Sequence, residues 1–191
     1  MQHGKNSIHQ TAGYVTRSSG GEGGAVRLLP IPIRCQEHAV IVERIFISPE
    51  RGAAQVEHQR IAVQGGMGVL GDRNFGKRTH PGQNITLVEA EEIERFCAQF
   101  SRTTDLSLTR RNLVTRGVRL NDLVNVEFSI GNVRLRGVEL CEPCTLLGNR
   151  LSSESLTPAA VIKHWVHCGG LFADILSSGA IVRGDRIETD A

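Results

Sequence analysis

The alternation of apolar and polar positions predicts a chain built mainly from short strands. Residues 40–47 are dense in β-branched side chains and end at Ser48-Pro49, which is typical of a strand followed by a turn. Gly131-Asn132 lies between two alternating segments and suits a two-residue hairpin turn of type II′. The other predicted strands are at residues 56–63, 85–88, 113–114, 123–130, 133–140, 171–176, 180–182 and 186–187.

Two helices are predicted among these strands. Residues 89–100 place large apolar side chains at helical spacing among four glutamates, whose charge suits the first turns of a helix. We expect those glutamates to form the solvated face. Thr157 as N-cap and Pro158 at the first helical position predict a second helix over residues 158–164. The fold class that results is mainly β with a few helices, closing into a mixed β-barrel.

The first part of the chain has a different composition. Residues 1–24 are rich in Gly, Ser, His and Gln, and they end in a run of glycines. Such a segment buries too little apolar surface to offset its ordering entropy. We therefore predict a flexible N-terminal tail at residues 1–38 and a single domain over residues 39–191. Limited proteolysis is expected to trim the first 25–35 residues, a range set by roughly where the apolar pattern begins.

Charge and cysteine content narrow the functional classes. The 191 residues carry 22 Lys and Arg against 20 Asp and Glu, a net charge of only +2, so no broad nucleic-acid-binding face is expected. No apolar run reaches the roughly 18–20 residues that span a bilayer. Five cysteines are an odd number, and no apolar secretory segment precedes them. Reduced thiols in the cytoplasm fit this pattern better than disulfides.

A glycine-rich loop at residues 65–84 carries local positive charge. Residues 66–71 match G-x-G-x-x-G, but the following glycines and proline predict no helix to hold a dinucleotide. Residues 71–77 approximate a P-loop, but Arg78 stands where a hydroxyl would bind magnesium. Two interpretations stay open: a tight loop, or a loop whose backbone amides meet an anion together with Arg73, Lys77 and Arg78.

Arg110 and Arg111 form a second basic step, directly before Asn112 and the apolar Leu113-Val114. Paired arginines at the start of a strand are often a solvated edge. They are also well matched to phosphate, because each guanidinium presents a planar fork of N–H donors. Both interpretations stay open at this point.

Cys141-Glu142-Pro143-Cys144 is the step with the most chemistry. It is compatible with a thioredoxin-like redox pair, with a zinc site, with one working thiolate, or with two buried structural thiols. A zinc site would draw its other ligands from His164, His167 or Cys168, although those residues also suit packing at a helix end. A working thiolate would bind a soft metal or carry a sulfane sulfur.

Four pieces in a fixed order resemble the MOSC family, the domains at the C-terminus of molybdenum-cofactor sulfurases and in stand-alone bacterial proteins. They are Gly71-Asp72-Arg73, Arg110-Arg111-Asn112-Leu113-Val114, Cys141-Glu142-Pro143-Cys144 and Gly184-Asp185. The resemblance runs from about residue 40 to residue 188. It implies a barrel-based fold that binds a molybdopterin-type molybdenum cofactor, with one cysteine that coordinates molybdenum or carries sulfur as a persulfide.

The resemblance also implies roles for particular residues. Cys144 matches the functional cysteine, which is the catalytic group and metal ligand. Arg73, Arg110 and Asn112 match positions that face the cofactor, and we expect Arg111 and Lys77 to join them at its phosphate. The chain departs from the family at Asn74, where a histidine is common.

The activity implied is that of a molybdenum-dependent oxidoreductase or a sulfur transferase. Reduction of N-hydroxylated substrates would need a separate electron-transfer protein, because the sequence holds no ferredoxin-like cysteine cluster. Sulfur transfer would need a sulfur donor and is expected to be independent of pyridoxal phosphate, since no aminotransferase-like segment is present. Two alternatives stay open: a cofactor-free sulfur-relay protein, and a zinc-stabilised structural module.

Overall fold

The computed structural model describes residues 39–189. The predicted tail at residues 1–38 lies outside the described residues, so its boundary stays a prediction. Eleven strands and three α-helices make up the described part of the chain. The strands are β1 Ile41–Ile47, β2 Val56–His58, β3 Arg60–Gln64, β4 Gly68–Val69, β5 Ile85–Glu89, β6 Leu113–Arg116, β7 Glu127–Ile130, β8 Val133–Leu140, β9 Leu171–Ile175, β10 Gly179–Val182 and β11 Ile187–Thr189. The helices are α1 Ala90–Gln99, α2 Thr145–Leu151 and α3 Pro158–Trp165, with a 3₁₀ turn at Leu120–Leu123.

The strands form two sheets. The larger has eight strands in the order β11-β7-β8-β9-β5-β6-β1-β2, and the smaller has three in the order β10-β3-β4. Pairing is antiparallel except between β5 and β6, which run parallel because α1 crosses between them. The large sheet curls into a half-barrel. The prediction of a mainly β, barrel-type single domain is therefore confirmed.

The predicted hairpin between β7 and β8 is present. Ile130 and Val133 face each other across it, so the turn contains two residues. Gly131 has a φ of 57°, the positive value that both mirror-image hairpin turns require at their first position. A β-carbon there would lie 2.8 Å from Oδ2 of Asp185, so both backbone conformation and space favour glycine.

Apolar side chains pack on both faces of the large sheet. The concave interior is filled by residues such as Ile45, Leu87, Leu113, Phe128 and Leu171, which are almost fully buried. The three helices cover the opposite face with a second cluster. Burial of each large apolar side chain contributes about 1.5–3 kcal/mol, which is why the strands alternate between the core and solvent or the helix layer.

Helix α1 confirms the predicted helix, but the expectation of a solvated glutamate face was wrong. Glu89 and Glu92 are only 5% and 1% exposed. Nη1 of Arg119 lies 3.1 Å from a carboxylate oxygen of each, and the backbone N–H of Leu120 donates to Glu89 over 3.0 Å. The 3₁₀ turn folds over the start of α1, which sequence periodicity does not reveal. Burial raises the pKa of Glu89, so pairing with Arg119 offsets only part of its desolvation.

Helix α2 was not predicted, because its sequence contains Gly148 and Asn149, both poor helix formers. A β-carbon at position 148 would lie 3.0 Å from both Cγ1 of Ile162 and the carbonyl oxygen of Pro158. Glycine therefore allows α2 to pack closely on α3. Tertiary packing overrides the weak local propensity, and the resulting helix directly follows Cys144.

Candidate functional site

Asp72 fastens the glycine-rich loop to the end of β1. Its buried carboxylate accepts hydrogen bonds from the backbone N–H groups of Ser48 (3.2 Å) and Asn74 (2.9 Å). The backbone N–H of Arg73 donates to the carbonyl oxygen of Ser48 over 2.9 Å. These contacts hold the loop in one position and fix the backbone from which Arg73 extends.

Asn112 connects that loop to two strands. Its Nδ2 donates to Oδ2 of Asp72 over 3.1 Å and to the carbonyl oxygen of Phe46 over 3.3 Å. Its Oδ1 accepts from the backbone N–H of Thr86 (3.1 Å) and from Oγ1 of the same residue (3.0 Å). Two of the motifs noted in the sequence are thus joined by a direct hydrogen bond. With its side-chain amide engaged in this way, Asn112 holds the glycine-rich loop against β1 and β5. Its predicted role as a direct cofactor ligand stays a prediction.

Arg110 occupies a left-handed backbone conformation with a φ of 60°. This conformation costs a non-glycine residue roughly 1–2 kcal/mol. Nη2 of Arg110 donates to Oγ of Ser48 (2.9 Å) and to the carbonyl oxygen of Ala53 (2.5 Å), and these contacts offset the strain. The pKa of Arg110 is lowered, first by burial and then by the positive charges of Arg150 and Arg73. Three guanidinium groups therefore lie within electrostatic reach of one another.

Arg111 points to a different side of the same region. Its Nε donates to the carbonyl oxygen of Gly169 over 3.1 Å, and its guanidinium carbon lies 5.8 Å from the ring centroid of Phe172. Its positive charge also opposes the rise in the pKa of Cys141, which shows that it lies near the end of β8. Adjacent arginines in the sequence thus serve two separate parts of the site.

The four described cysteines differ sharply in exposure. Cys144, directly before α2, is exposed, whereas Cys97 and Cys141 are buried and Cys168 is half-buried. Burial raises the pKa of Cys141 to about 12 and that of Cys168 to about 11. At neutral pH both remain thiols, so among residues 39–189 Cys144 is the cysteine best placed for thiolate chemistry.

The structure does not favour a thioredoxin-like redox pair or a zinc site at Cys141 and Cys144. A thioredoxin-like pair needs a helix that begins at its first cysteine, but α2 begins after Cys144. Within residues 39–189, no three His, Cys, Asp or Glu side chains are grouped so as to hold a metal ion. The ring of His164 packs 5.1 Å from the ring of Phe96, and His167 instead bonds Glu142 through Nδ1 over 2.8 Å.

The fourth motif, Gly184-Asp185, lies in the turn between β10 and β11. Oδ2 of Asp185 accepts from the backbone N–H of Val182 over 2.8 Å, and the backbone N–H of Gly184 donates to the carbonyl oxygen of Val42 over 2.8 Å. This motif therefore ties the end of the chain to β1. Gly184-Asp185 thus has a structural role, in contrast to the other three motifs.

One cavity of about 910 Å³ collects most of the predicted site residues. Arg73, Lys77, Arg110, Arg111 and Cys144 all line it, whereas Asn112 does not. Sequence reasoning missed several further lining residues, which are Glu50, Arg51, Glu142, Leu146, Leu147, Arg150 and Phe172. Of these, Arg150 could have been found only by predicting α2, on whose last turn it lies.

Among residues 39–189, the cationic side chains that line this cavity have no ion-pair partner. Arginines elsewhere are paired with carboxylates, as Arg116 is with Glu43 and Arg134 with Glu127. Among the ion pairs of residues 39–189, none involves the arginines or the lysine of the cavity. Leu146, Leu147 and Phe172 add an apolar surface to the same cavity. The lining suits an anionic small molecule that also has an apolar part.

Comparison with known proteins gives the class of this fold. The MOSC domain family matches residues 72–188, well over half of the chain, and the chain therefore belongs to the MOSC domain family. This confirms the resemblance seen in the sequence. No curated protein matches the sequence at a significant level.

Solved structures confirm the fold. The YuaD protein from Bacillus subtilis is similar with a TM-score of 0.68 at 18% identity, over 78% of this chain and 94% of that one. YiiM from Escherichia coli has a TM-score of 0.53 at 15% identity, over 81% and 69%. YiiM from Geobacillus stearothermophilus has a TM-score of 0.54 at 14% identity, over 81% and 73%. In residues 39–189, the helices are all too short or too polar to cross a membrane.

Proposed function

We propose that this MOSC protein binds a molybdopterin-type molybdenum cofactor in the 910 Å³ cavity, with Cys144 as metal ligand or as carrier of sulfur. The observation that carries the proposal is that one cavity holds both an exposed thiol and a cluster of arginines that have no ion pair among residues 39–189. Family membership supports it, because the MOSC domain is associated with molybdenum cofactor binding or sulfur transfer.

The arginine cluster suits the phosphate of such a cofactor. Arg73, Arg110 and Arg150 reach one cavity from the glycine-rich loop, from the segment before β6 and from α2. Each guanidinium offers a planar fork to phosphate oxygens, and charge-assisted hydrogen bonds of this kind are about twice as strong as neutral ones. Burial and then repulsion from Arg150 and Arg73 lower the pKa of Arg110, and a bound phosphate would relieve the repulsion.

Helix α2 sets the distance between the two chemical functions. Cys144 directly precedes it, and Arg150 is six residues later, which corresponds to roughly 9 Å along a helix axis. Leu146 and Leu147 lie between them and line the cavity. A ligand with a phosphate at one end, a flat ring system and a metal at the other would match this arrangement.

The bound cofactor would supply two-electron redox chemistry at molybdenum or a metal-bound sulfur. The protein's own contribution is to hold the anionic end and to present a soft thiolate at the other. Thiolate is a preferred ligand of soft and borderline metals. Because Cys144 is exposed, it can also receive a sulfane sulfur from a donor protein, so a sulfur-carrier role without a resident cofactor is the second candidate. Any reductase activity would use a separate electron donor in the cytoplasm.

The test is elemental analysis of protein purified from a host that makes the cofactor. We expect molybdenum near one atom per chain in the wild type. Cys144→Ser should keep pterin and molybdenum, since the arginines remain and the dithiolene of the pterin would also bind the metal. It should lose the sulfur ligand that the thiolate would add, which X-ray absorption at molybdenum measures. Arg110→Gln should lose both pterin and molybdenum, and Cys168→Ser is the matched control that should keep both.

Other outcomes assign other functions. Zinc near one atom per chain would support the structural module. Absence of both metals, with persulfide formed at Cys144 on incubation with a sulfane-sulfur donor, would support the sulfur carrier. An unchanged X-ray absorption spectrum of molybdenum in Cys144→Ser would remove Cys144 from the metal's coordination.

A further inference from the structure

The cavity carries more positive charge than one phosphate neutralises. Six cationic side chains and two carboxylates line it, a surplus of four positive charges. The six are Arg51, Arg73, Lys77, Arg110, Arg111 and Arg150. A phosphate monoester carries about −1.5 to −2 at neutral pH. About two positive charges are therefore left over after the cofactor phosphate of the proposed function is bound.

The two carboxylates are counted in this surplus, but neither of them is paired with a cation of the cavity. Glu142 is engaged elsewhere, since Oε1 bonds Nδ1 of His167 (2.8 Å) and Oε2 accepts the backbone N–H of His167 (3.1 Å). These contacts with His167 lower the pKa of Glu142, so it is ionised but turned to His167 rather than to an arginine. Glu50, the other carboxylate, is exposed to solvent and has no ion pair among residues 39–189.

Arg111 lines the cavity together with Cys144, and its charge acts on Cys141 at the start of the same step. Its Nε is occupied by Gly169, and its plane is held over Phe172, which fixes its direction. The four N–H bonds of its two terminal nitrogens have no acceptor within residues 39–189. Arg73, Arg110 and Arg150 form the other group, because the charges of Arg73 and Arg150 act on Arg110. Arg110 bonds Ser48 and Ala53, whereas Arg111 bonds Gly169, so the cations of the cavity divide into two groups with different partners.

We propose that the ligand which meets Cys144 in this cavity is itself a small anion, a carboxylate or an oxyanion, bound by the terminal nitrogens of Arg111. The inference rests on the proposed function only in assigning the first anion site to the cofactor phosphate. It specifies the substrate class: a negatively charged molecule is preferred over a neutral one of equal size. Phe172 contributes by keeping the guanidinium in place rather than by contacting the anion.

Two alkylating reagents of nearly equal size test this directly on the full chain without cofactor. Iodoacetate and iodoacetamide both transfer a two-carbon group to a thiolate with loss of iodide, but only iodoacetate is an anion. Their rates at Cys144 are measured by mass spectrometry, and the ratio is compared with that of free cysteine. A charged cleft raises the local concentration of a counter-ion about tenfold or more, so we expect the ratio to exceed that of free cysteine by about tenfold.

Variants assign the effect to Arg111. Arg111→Gln should remove most of the excess over free cysteine, although five other cations still line the cavity. Arg111→Lys should keep most of the excess, because it retains the charge. Lys163→Gln changes the net charge equally on the exposed surface of α3 and is the control that should leave the ratio high. If Arg111→Gln does not fold, raising the salt concentration on the wild type should lower the ratio, since screening weakens such steering.

Two results would overturn the inference. One is a wild-type ratio equal to that of free cysteine. The other is a ratio that survives in folded Arg111→Gln but falls in Arg150→Gln, which would mean a single anion site at the arginine cluster. Calorimetric titration of Arg111→Gln with inorganic phosphate tests that cluster separately, because Arg111 itself could bind phosphate in the wild type. Absent phosphate binding in this variant would weaken the proposed function, while the alkylation ratio still decides the role of Arg111.

Discussion

Asn112→Asp is the substitution for which the structure gives the sharpest prediction. The change preserves shape but replaces Nδ2, which donates to Oδ2 of Asp72 over 3.1 Å, by a second carboxylate oxygen. Both residues are less than a tenth exposed. Two facing carboxylates at this distance repel by about 5 kcal/mol at an effective dielectric constant of about 20. This repulsion favours binding of one proton by the pair of carboxylates in the folded variant.

The free-energy cost of binding that proton sets the size of the destabilisation. Protonating a carboxyl with an ordinary pKa of about 3.9 costs about 4 kcal/mol at pH 7 and about 1.5 kcal/mol at pH 5. The protonated carboxyl of the variant can then donate to Asp72, which restores the lost hydrogen bond. Because the folded state of the variant binds a proton that the unfolded chain does not, its deficit grows as pH rises. We expect Asn112→Asp to be destabilised by about 4 kcal/mol at pH 7 and by about 1.5 kcal/mol at pH 5.

Urea denaturation of the variant and the wild type at the two pH values measures this. Thr86→Val is the control, because it removes the hydroxyl bonded to Asn112 without adding a carboxylate. Its deficit of about 1 kcal/mol should be the same at both pH values. An Asn112→Asp deficit that is equal at pH 5 and pH 7, or below that of Thr86→Val at pH 7, would refute the role assigned to the Asp72–Asn112 contact.

Three further predictions concern the site and its support. Arg110→Gln should weaken calorimetric binding of inorganic phosphate by about 1–3 kcal/mol, and unchanged binding in a folded variant would remove Arg110 from the site. At pH 7, mass spectrometry should find Cys144 alkylated first among the four described cysteines, because the pKa values of Cys141 and Cys168 are raised to about 12 and 11; earlier labelling of either would contradict this. Burial raises the pKa of Glu89, so ionisation penalises the folded state above that pKa and acid relieves it. Glu89→Gln should therefore gain stability relative to the wild type as pH rises from about 4.5 to 7. A difference in the free energy of unfolding, measured by urea denaturation, that does not change over this pH range would argue against this.

Most of the fold could be predicted from the sequence because local signals and tertiary packing agree. The strand at residues 40–47, the helix at 89–100 and the hairpin at Gly131-Asn132 each have a strong period or a specific turn residue, and each is present within a residue or two. Helix α2 has neither. Its Gly148 is there for contact with α3, a reason that exists only in three dimensions.

The candidate site was predicted in part, for a similar reason. Arg73, Arg110 and Cys144 belong to recognisable motifs, and the structure brings them to one cavity. Arg150 belongs to no motif and depends on α2. The buried positions of Glu89 and Glu92 also depend on a distant partner, Arg119, which lies some 30 residues later. Charge patterns along one helix cannot reveal a partner from another element.

The attachment of both Cys144 and Arg150 to one short helix makes α2 a gauge of ligand length. Whatever moves the thiol also moves the guanidinium, so the spacing between them is conserved under rigid shifts of the helix on α3. A single residue inserted before Arg150 would turn its side chain by about 100° and advance it by about 1.5 Å, while Cys144 stayed in place. A whole added turn would restore the direction and lengthen the span by about 5.4 Å. If the ligand of the proposed function meets both side chains, the number of residues in α2 would set the ligand length that the cavity accepts, with the barrel unchanged.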